Sequence, residues 1–519
     1  MLTCKFVVLT GLAVTVALTA ATAQTALPRT SDGKPDLEGI WQASGTAAAA
    51  IEDHGASYNI MAGRSVVAGG GAVPYQPWAL AKRAENFRNR EKADPLGQCY
   101  IPGVPRIMYL DFPFQIFQTP RGIAMAFEWS MDYRLILTDG SPHADTSGVD
   151  YWMGDSRGRW EGDTLVVDVT NQNDRTWFDM AGDFHSDAMH VVERYRMTDR
   201  DTIEYEATIE DSKVFTKPWT IRLALRRRVD RDRLFEYVCQ DEVEEANGAF
   251  TRDDRTWYPG PGAKTVPTPP AAAPPSQPVA KTSSDIPRKT DGRPNLQGYF
   301  VPDAGGANFG LEKHSSGVGL IPVGRGVIVD PPDLRLPLQP WAVKEVADRN
   351  RAERGYDDPT AHCFPAGVPR AMYVPTSFYF VQTADYLLIL HERIAWRIIS
   401  LHERPHLPDN MRLWQGDSVG HWDGDTLVVD TTNLNGKTWL NEVGEIVSYA
   451  EHVVERFTLA GPNTIQWEAT VNDPVVYTRP WTIAMPFQRN KGMIYEAACH
   501  EEDHDLPHLK AIRDAAAKK

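Results

Sequence analysis

The stretch that begins at Trp152, WMGDSRGRWEGDTLVVD, returns from Trp414 as WQGDSVGHWDGDTLVVD. A match of that length requires two copies of one folding unit, and it extends through both halves of the chain. Asp32-Gly33-Lys34-Pro35-Asp36-Leu37-Glu38-Gly39 returns as Asp291-Gly292-Arg293-Pro294-Asn295-Leu296-Gln297-Gly298, and Gln76-Pro77-Trp78-Ala79 as Gln339-Pro340-Trp341-Ala342. Cys99 to Arg106 (CYIPGVPR) becomes Cys363 to Arg370 (CFPAGVPR), and His190 to Arg194 (HVVER) becomes His452 to Arg456. Pro218-Trp219-Thr220-Ile221 closes the series as Pro480-Trp481-Thr482-Ile483. Whatever fold one half adopts, the other adopts too.

The expected organisation follows from this repeat. An early Lys5, an apolar run from Phe6 to Ala20 and the small-residue pattern Ala21-Thr22-Ala23 read as a signal peptide over 1–23, too short for a membrane span. The mature chain is then expected to be periplasmic or secreted, with no membrane insertion. The first repeat is placed over 24–258, the second over 288–510, and a tail over 511–519. Between the copies, 259–287 is dominated by Pro, Ala, Thr and Ser and reads as a linker. Of five cysteines, Cys4 leaves with the signal peptide. Cys99 and Cys239 in the first copy correspond to Cys363 and Cys499 in the second. Four cysteines allow three connectivities, and only Cys99–Cys239 with Cys363–Cys499 repeats within each copy.

The fold class predicted is mainly β: a tandem duplication of an antiparallel β-barrel or sandwich, with a short helix in each copy. Thr164–Asp168, Val191–Met197, Ile203–Ile209, Trp219–Leu225 and Leu234–Cys239 are apolar or alternating runs separated by turn signals, the pattern of a meander. Ile116–Thr138 is expected to hold two further strands. Pro77–Glu91 and its counterpart Pro340–Arg354 read as helices opened by proline.

Near the start of the first copy, Gly39-Ile40-Trp41 resembles the Gly-x-Trp signature of lipocalin barrels, which implies a Trp plugging one barrel end; the second copy has Gly298-Tyr299-Phe300 instead. The tandem arrangement is also similar to two-barrel lipocalin-like secreted proteins. By the Pro-Asp-Leu-x-Gly start and the Trp-x-Gly-Asp-Ser…Gly-Asp-Thr-Leu-Val-Val-Asp core, both copies resemble a family of exported bacterial proteins. That resemblance covers nearly the whole mature chain and implies no activity.

The net charge of −15 disfavours nucleic acid and anionic membranes as partners and leaves small molecules. The repeated polar residues are the candidates for chemistry. His143, Asp155, His190 and Glu193, with His406, Asp417, His452 and Glu455, form the expected acid–base set. Trp152, Arg194, Trp414 and Arg456 are the expected substrate contacts. On a strand, His190 and Glu193 point to opposite faces, so only one of them faces the barrel interior. Asp163 and Asp425 occupy hairpin turns and read as structural. Asp168 and Asp430, at strand ends, are expected to bond local backbone N–H groups. No cofactor is expected and no metal site, since HExxH and CxxC are absent; a cluster of His185, Asp187 and His190 would be one-sided, because Val447 and Tyr449 replace its first two members. His391, His402 and His421 belong to the second copy alone. The repeated Trp152, Trp160 and Trp177, with Trp414, Trp422 and Trp439, read as pocket lining or as core. The leading functional expectation is a small-molecule isomerase, lyase or hydrolase working in a β-barrel pocket. The alternatives are a carrier of an apolar or aromatic ligand and a structural scaffold.

Overall fold

The computed structural model describes residues 27–57, 60–144, 149–239, 285–315, 323–392, 395–492, 494–496, 498–499 and 505–518. The expected signal peptide and nearly all of the expected linker lie outside these residues.

Each copy is a closed β-barrel, which decides between barrel and sandwich. In the first copy β1 (Gly39–Ala43), β2 (Phe114–Thr119), β3 (Gly122–Phe127), β4 (Tyr133–Leu137), β5 (Asp155–Glu161), β6 (Thr164–Thr170), β7 (His190–Asp199), β8 (Thr202–Glu210) and β9 (Trp219–Arg227) follow one another in order, and β1 pairs with β9 to close the ring. In the second copy β10 (Gly298–Pro302) and β12 (Phe378–Gln382), β13 (Tyr386–His391), β14 (Ala395–Ser400), β15 (Asp417–Asp423), β16 (Thr426–Thr432), β17 (His452–Gly461), β18 (Thr464–Asn472) and β19 (Trp481–Arg489) repeat that order. There β10 pairs with β19, and a short β11 (Ile328–Asp330) adds to β19. Closure leaves no long unpaired edge in either ring.

The predicted meander needs three corrections. The stretch from Phe114 to Leu137 holds three strands, not two, because Ser130 and Met131 turn with positive φ between β3 and β4. One junction per barrel is parallel: β4 with β5 and β14 with β15, so the connection between them returns along the length of the strands instead of turning as a hairpin. Leu234–Cys239 is not a barrel strand. It leaves the ring after β9, touches Trp129 through a single bridge at Tyr237, and ends in the disulfide. Helix α1 spans Pro77–Ala93. Its counterpart α2 stops at Arg349, short of the expected Arg354, and the chain continues in a 3-10 turn over Ala352–Asp357. The region expected as a tail carries α3 (Asp505–Ala516), which runs across the expected boundary at 510. Both expected disulfides are present, Cys99–Cys239 and Cys363–Cys499.

Alternation sorts each strand's side chains. On β6 Leu165, Val167 and Val169 point inward and Val166, Asp168 and Thr170 outward; on β7 Val191, Glu193, Tyr195 and Met197 point inward and His190, Val192 and Arg194 outward. The interior is filled by side chains from all strands. At one end Trp41 is fully buried, donates its indole N–H to the Leu37 carbonyl at 2.9 Å, and carries the Arg227 guanidinium 4.2 Å above its ring. Phe300 and Arg489 repeat this cap at 4.6 Å.

The two barrels share a third apolar cluster. Ile40, Phe117, Ala124, Ala126, Leu234 and Val238 from the first copy meet Phe364, Val381, Leu388, Leu390, Trp396 and Trp414 from the second. Trp396 donates its indole N–H to the Phe127 carbonyl at 2.8 Å across this contact.

Candidate functional site

His143, Asp155 and His190 do come together, but on the outside of the first barrel. The residue that joins them is Asp168. His143 sits in the β4–β5 connection, with Nδ1 2.9 Å from Asp155 and Nε2 2.8 Å from one oxygen of Asp168. The other Asp168 oxygen lies 3.0 Å from His190 Nε2. Asp155, Asp168 and His190 project outward from β5, β6 and β7, three adjacent antiparallel strands, so the order Asp–His–Asp–His follows from register once His143 folds over them. The expectation that Asp168 bonds backbone groups is therefore corrected: both its oxygens go to imidazoles. Asp155 begins β5, and it also accepts from Arg157 and from the Ala144 N–H at 2.9 Å.

The second copy builds the same chain. His406 Nδ1 is 3.2 Å from Asp417 and Nε2 3.1 Å from Asp430, whose other oxygen lies 2.9 Å from His452 Nε2. This copy is the more closed. Asp417 is clamped by Arg404, by the Leu407 N–H and, from the first copy, by Arg233. The His452 side chain is 8% exposed, against 35% for His190.

Electrostatics follow the geometry. Hydrogen bonds to Asp417 and Asp430 raise the His406 imidazole to about 9, so it is held as an imidazolium at neutral pH. Burial acts to raise Asp417 and Asp430, but His406 with Arg404 at the first, and His406 with His452 at the second, overcome it and hold both well below the usual carboxylate range. Asp168 in the first copy is lowered too, its burial outweighed by bonds from His190 and His143.

Glu193 and Glu455, grouped with the histidines in the expected acid–base set, lie on the opposite, inner face of their strands, as alternation requires. Both are fully buried inside their barrels. Glu193 pairs with Arg134 and accepts from the Tyr195 and Tyr205 hydroxyls at 2.9 and 2.8 Å; Arg134 also donates to Ser156. Glu455 pairs with Arg397 and accepts from the Trp467 indole at 3.1 Å. The strand period places them three residues from a histidine and therefore on the other side of the sheet. They are positioned to hold the interior together, out of reach of the outer-face chain.

The expected substrate contacts also separate. Arg194 pairs with Glu161 and Arg456 with Asp423, both on outer strand surfaces. Trp152 and Trp414 belong to the inter-barrel contact. Glu496, three residues before Cys499, accepts the Trp152 N–H at 2.6 Å and the Met153 N–H at 3.0 Å; reciprocally, Glu236, three before Cys239, accepts the Trp414 and Gln415 N–H groups, the latter at 2.9 Å. Each post-barrel arm thus reaches into the Trp-x-Gly-Asp-Ser segment of the other copy. A small cleft lies beside each crossing, about 70 Å³ next to Asp155 and Glu496 and about 40 Å³ next to Asp417 and Glu236.

Trp177 and Trp439 are buried, and Trp160 and Trp422 pack partly buried against the barrel cores. His185, Asp187 and His190 do not cluster: His185 is buried against the Thr176 hydroxyl at 2.6 Å, and Asp187 pairs with Lys213. Among the described residues no group of three His, Cys, Asp or Glu is arranged to hold a metal ion, and no helix is long and apolar enough to cross a membrane. Asp163 and Asp425 keep their turn positions and receive Arg29 and Arg288.

Asp168, Arg134, Glu236 and their counterparts are the residues of consequence that the motif reading missed or misassigned. Their signal was in the duplication itself: Arg134 with Arg397, and Glu236 with Glu496, stand at matched positions before or after repeated motifs. No family model, curated protein or solved structure matches the chain.

Proposed function

We propose that this chain is a periplasmic or secreted acid–base enzyme whose working site is the outer-face His–Asp chain of the first barrel, with His190 as the proton-transferring group. The observation that carries this reading is that Asp168 binds His190 through Nε2, while among the described residues the Nδ1 edge of the same ring meets only Glu210, at 3.8 Å, on a side chain about one-third exposed. An imidazole oriented by a carboxylate on one nitrogen and open at the other is the arrangement a general base requires. His143, bonded on both nitrogens, positions Asp168 and is itself engaged on both sides. In the second barrel the equivalent ring is buried and the chain is clamped by two arginines, which suits a scaffold copy. Disulfides closing both copies suit an oxidising compartment.

A carrier with its ligand inside the barrel is the less favoured reading, because Arg134, Glu193, Tyr195 and Tyr205 occupy the first interior and Arg397, Glu455 and Trp467 the second. A site on the outer face suits a polar substrate that approaches from solvent.

The test is turnover of p-nitrophenyl esters and p-nitrophenyl glycosides by the wild-type chain, His190→Gln and His452→Gln, each checked for native circular dichroism. His190→Gln is expected to lower kcat by about 10²–10⁴-fold, the usual contribution of one acid–base group, while His452→Gln keeps it. Turnover unchanged in His190→Gln, or no turnover of either class by the wild type, removes the reading.

A further inference from the structure

One carboxyl of the second copy has no group to receive its charge. Glu451 is 2% exposed, and among the described residues neither of its oxygens has a hydrogen-bond partner. It stands immediately before β17, where the first copy has Met189, buried in the apolar core of its barrel. The backbone around the two residues is the same. Met189 N–H donates to the Ser186 carbonyl and Glu451 N–H to that of Ser448, each at 3.1 Å, and Asp211 and Asp473 hold the respective serine hydroxyls. A carboxyl therefore occupies a slot that suits a thioether. We propose that 439–451 is a proton-operated cover on the core of the second barrel, closed while Glu451 is protonated and released when it ionises.

The polar groups around Glu451 are committed elsewhere. Tyr373 and Tyr477 donate their hydroxyls to carbonyls of the segment itself, Leu440 at 2.8 Å and Ile446 at 2.7 Å. The Ser448 hydroxyl goes to Asp473 at 2.8 Å, and Asp473 also accepts the N–H groups of Ser448, Val475 and Val476. Glu445 accepts the Asn441 amide and the Leu311 N–H, and His452, next in the chain, bonds Asp430. Burial, and then the field of Asp473, a carboxyl of the same sign, hold Glu451 well above its ordinary value of 4.5. An ionised carboxyl with neither donor nor cation is not tolerated in a protein interior, so Glu451 must reach water to lose its proton. The residues that move with it include Trp439, Leu440, Ile446 and Val447, which pack into the barrel core, and their release uncovers apolar surface. The closed segment thus keeps a proton that the open one releases: closure is complete below the ordinary carboxyl value and is lost as pH rises.

Hydrogen–deuterium exchange of the full mature chain, read peptide by peptide, tests the cover. After correction for intrinsic exchange rates, opening of 439–452 is expected to rise about tenfold from pH 6 to pH 7, because one proton is released on opening. The matched stretch of the first copy, 177–190, should not follow it. Glu451→Met, which restores the first copy's residue, and Glu451→Gln, which keeps the shape without the charge, should each abolish the rise. Opening of 439–452 that is constant between pH 6 and pH 7, an equal rise in 177–190, or a rise that persists in either variant overturns the proposal. None of these readouts depends on His190.

Discussion

At the scale of single residues, the most consequential group is Glu193, a carboxylate with no solvent exposure at the centre of a barrel. Its charge is tolerated because Arg134, Tyr195 and Tyr205 all donate to it. A buried pair of this kind contributes little net stability over an apolar replacement, yet removing one member strands the other. Arg134→Met is therefore expected to cost about 3–5 kcal/mol in urea unfolding, and Arg134→Met with Glu193→Met to recover most of that loss. A single variant no less stable than the double would show that the pair is not coupled. The sequence displayed Glu193 as one of a repeated His–x–x–Glu set, and period-two alternation foretold that His190 and Glu193 would part. It could not say that Arg134, nearly sixty positions earlier, waits on the inner side, because that pairing depends on how β4 sits across the barrel from β7.

At the scale of elements, barrel closure depends on β1. Gly39 has φ of +134°, and a Cβ there would lie 2.0 Å from the Arg227 guanidinium that covers Trp41. Gly298 repeats this, with φ of +130° and Arg489 at 2.3 Å. Gly39→Ala should both strain the backbone and displace Arg227 from the indole, at a cost of about 1–3 kcal/mol. A shift in Trp fluorescence should accompany a lower unfolding midpoint, and unchanged values for both would contradict the steric account. Strand positions were largely legible, since β6 to β9 carry clean alternation between turn residues. The third strand within Phe114–Leu137 and the parallel β4–β5 junction were not. Gly122–Phe127 is buried throughout because its outer face meets the other barrel, and a strand covered on both faces loses its alternating signature.

At the scale of the molecule, the two barrels are joined by exchanged arms. Desolvation where the copies meet raises Glu496 to about 7 and Glu236 to about 8, despite the backbone N–H groups each accepts. Both folded values lie above the ordinary carboxyl value, so the docked form binds protons that the unfolded chain releases. The associated stability is fully present below about pH 4.5 and is lost as pH rises through 7 and 8. The unfolding midpoint of the wild type should therefore fall between pH 5.5 and 8.5, and Glu236→Gln with Glu496→Gln, mimicking the protonated acids, should flatten that fall. A double variant with the same pH slope as the wild type would place its cause elsewhere.

Duplication, the cysteine pairing and the alternation of most strands are properties of the chain's order, and the sequence by itself determined them: repeats must fold alike, a repeated pair of cysteines has one symmetric solution, and side-chain period sets a strand's faces. Closure into rings, the Asp–His–Asp–His chain and the exchange of arms were decided only by tertiary structure. Each joins groups distant in sequence through strand register or through contact between the copies, and neither distance nor register is written in any local stretch of residues.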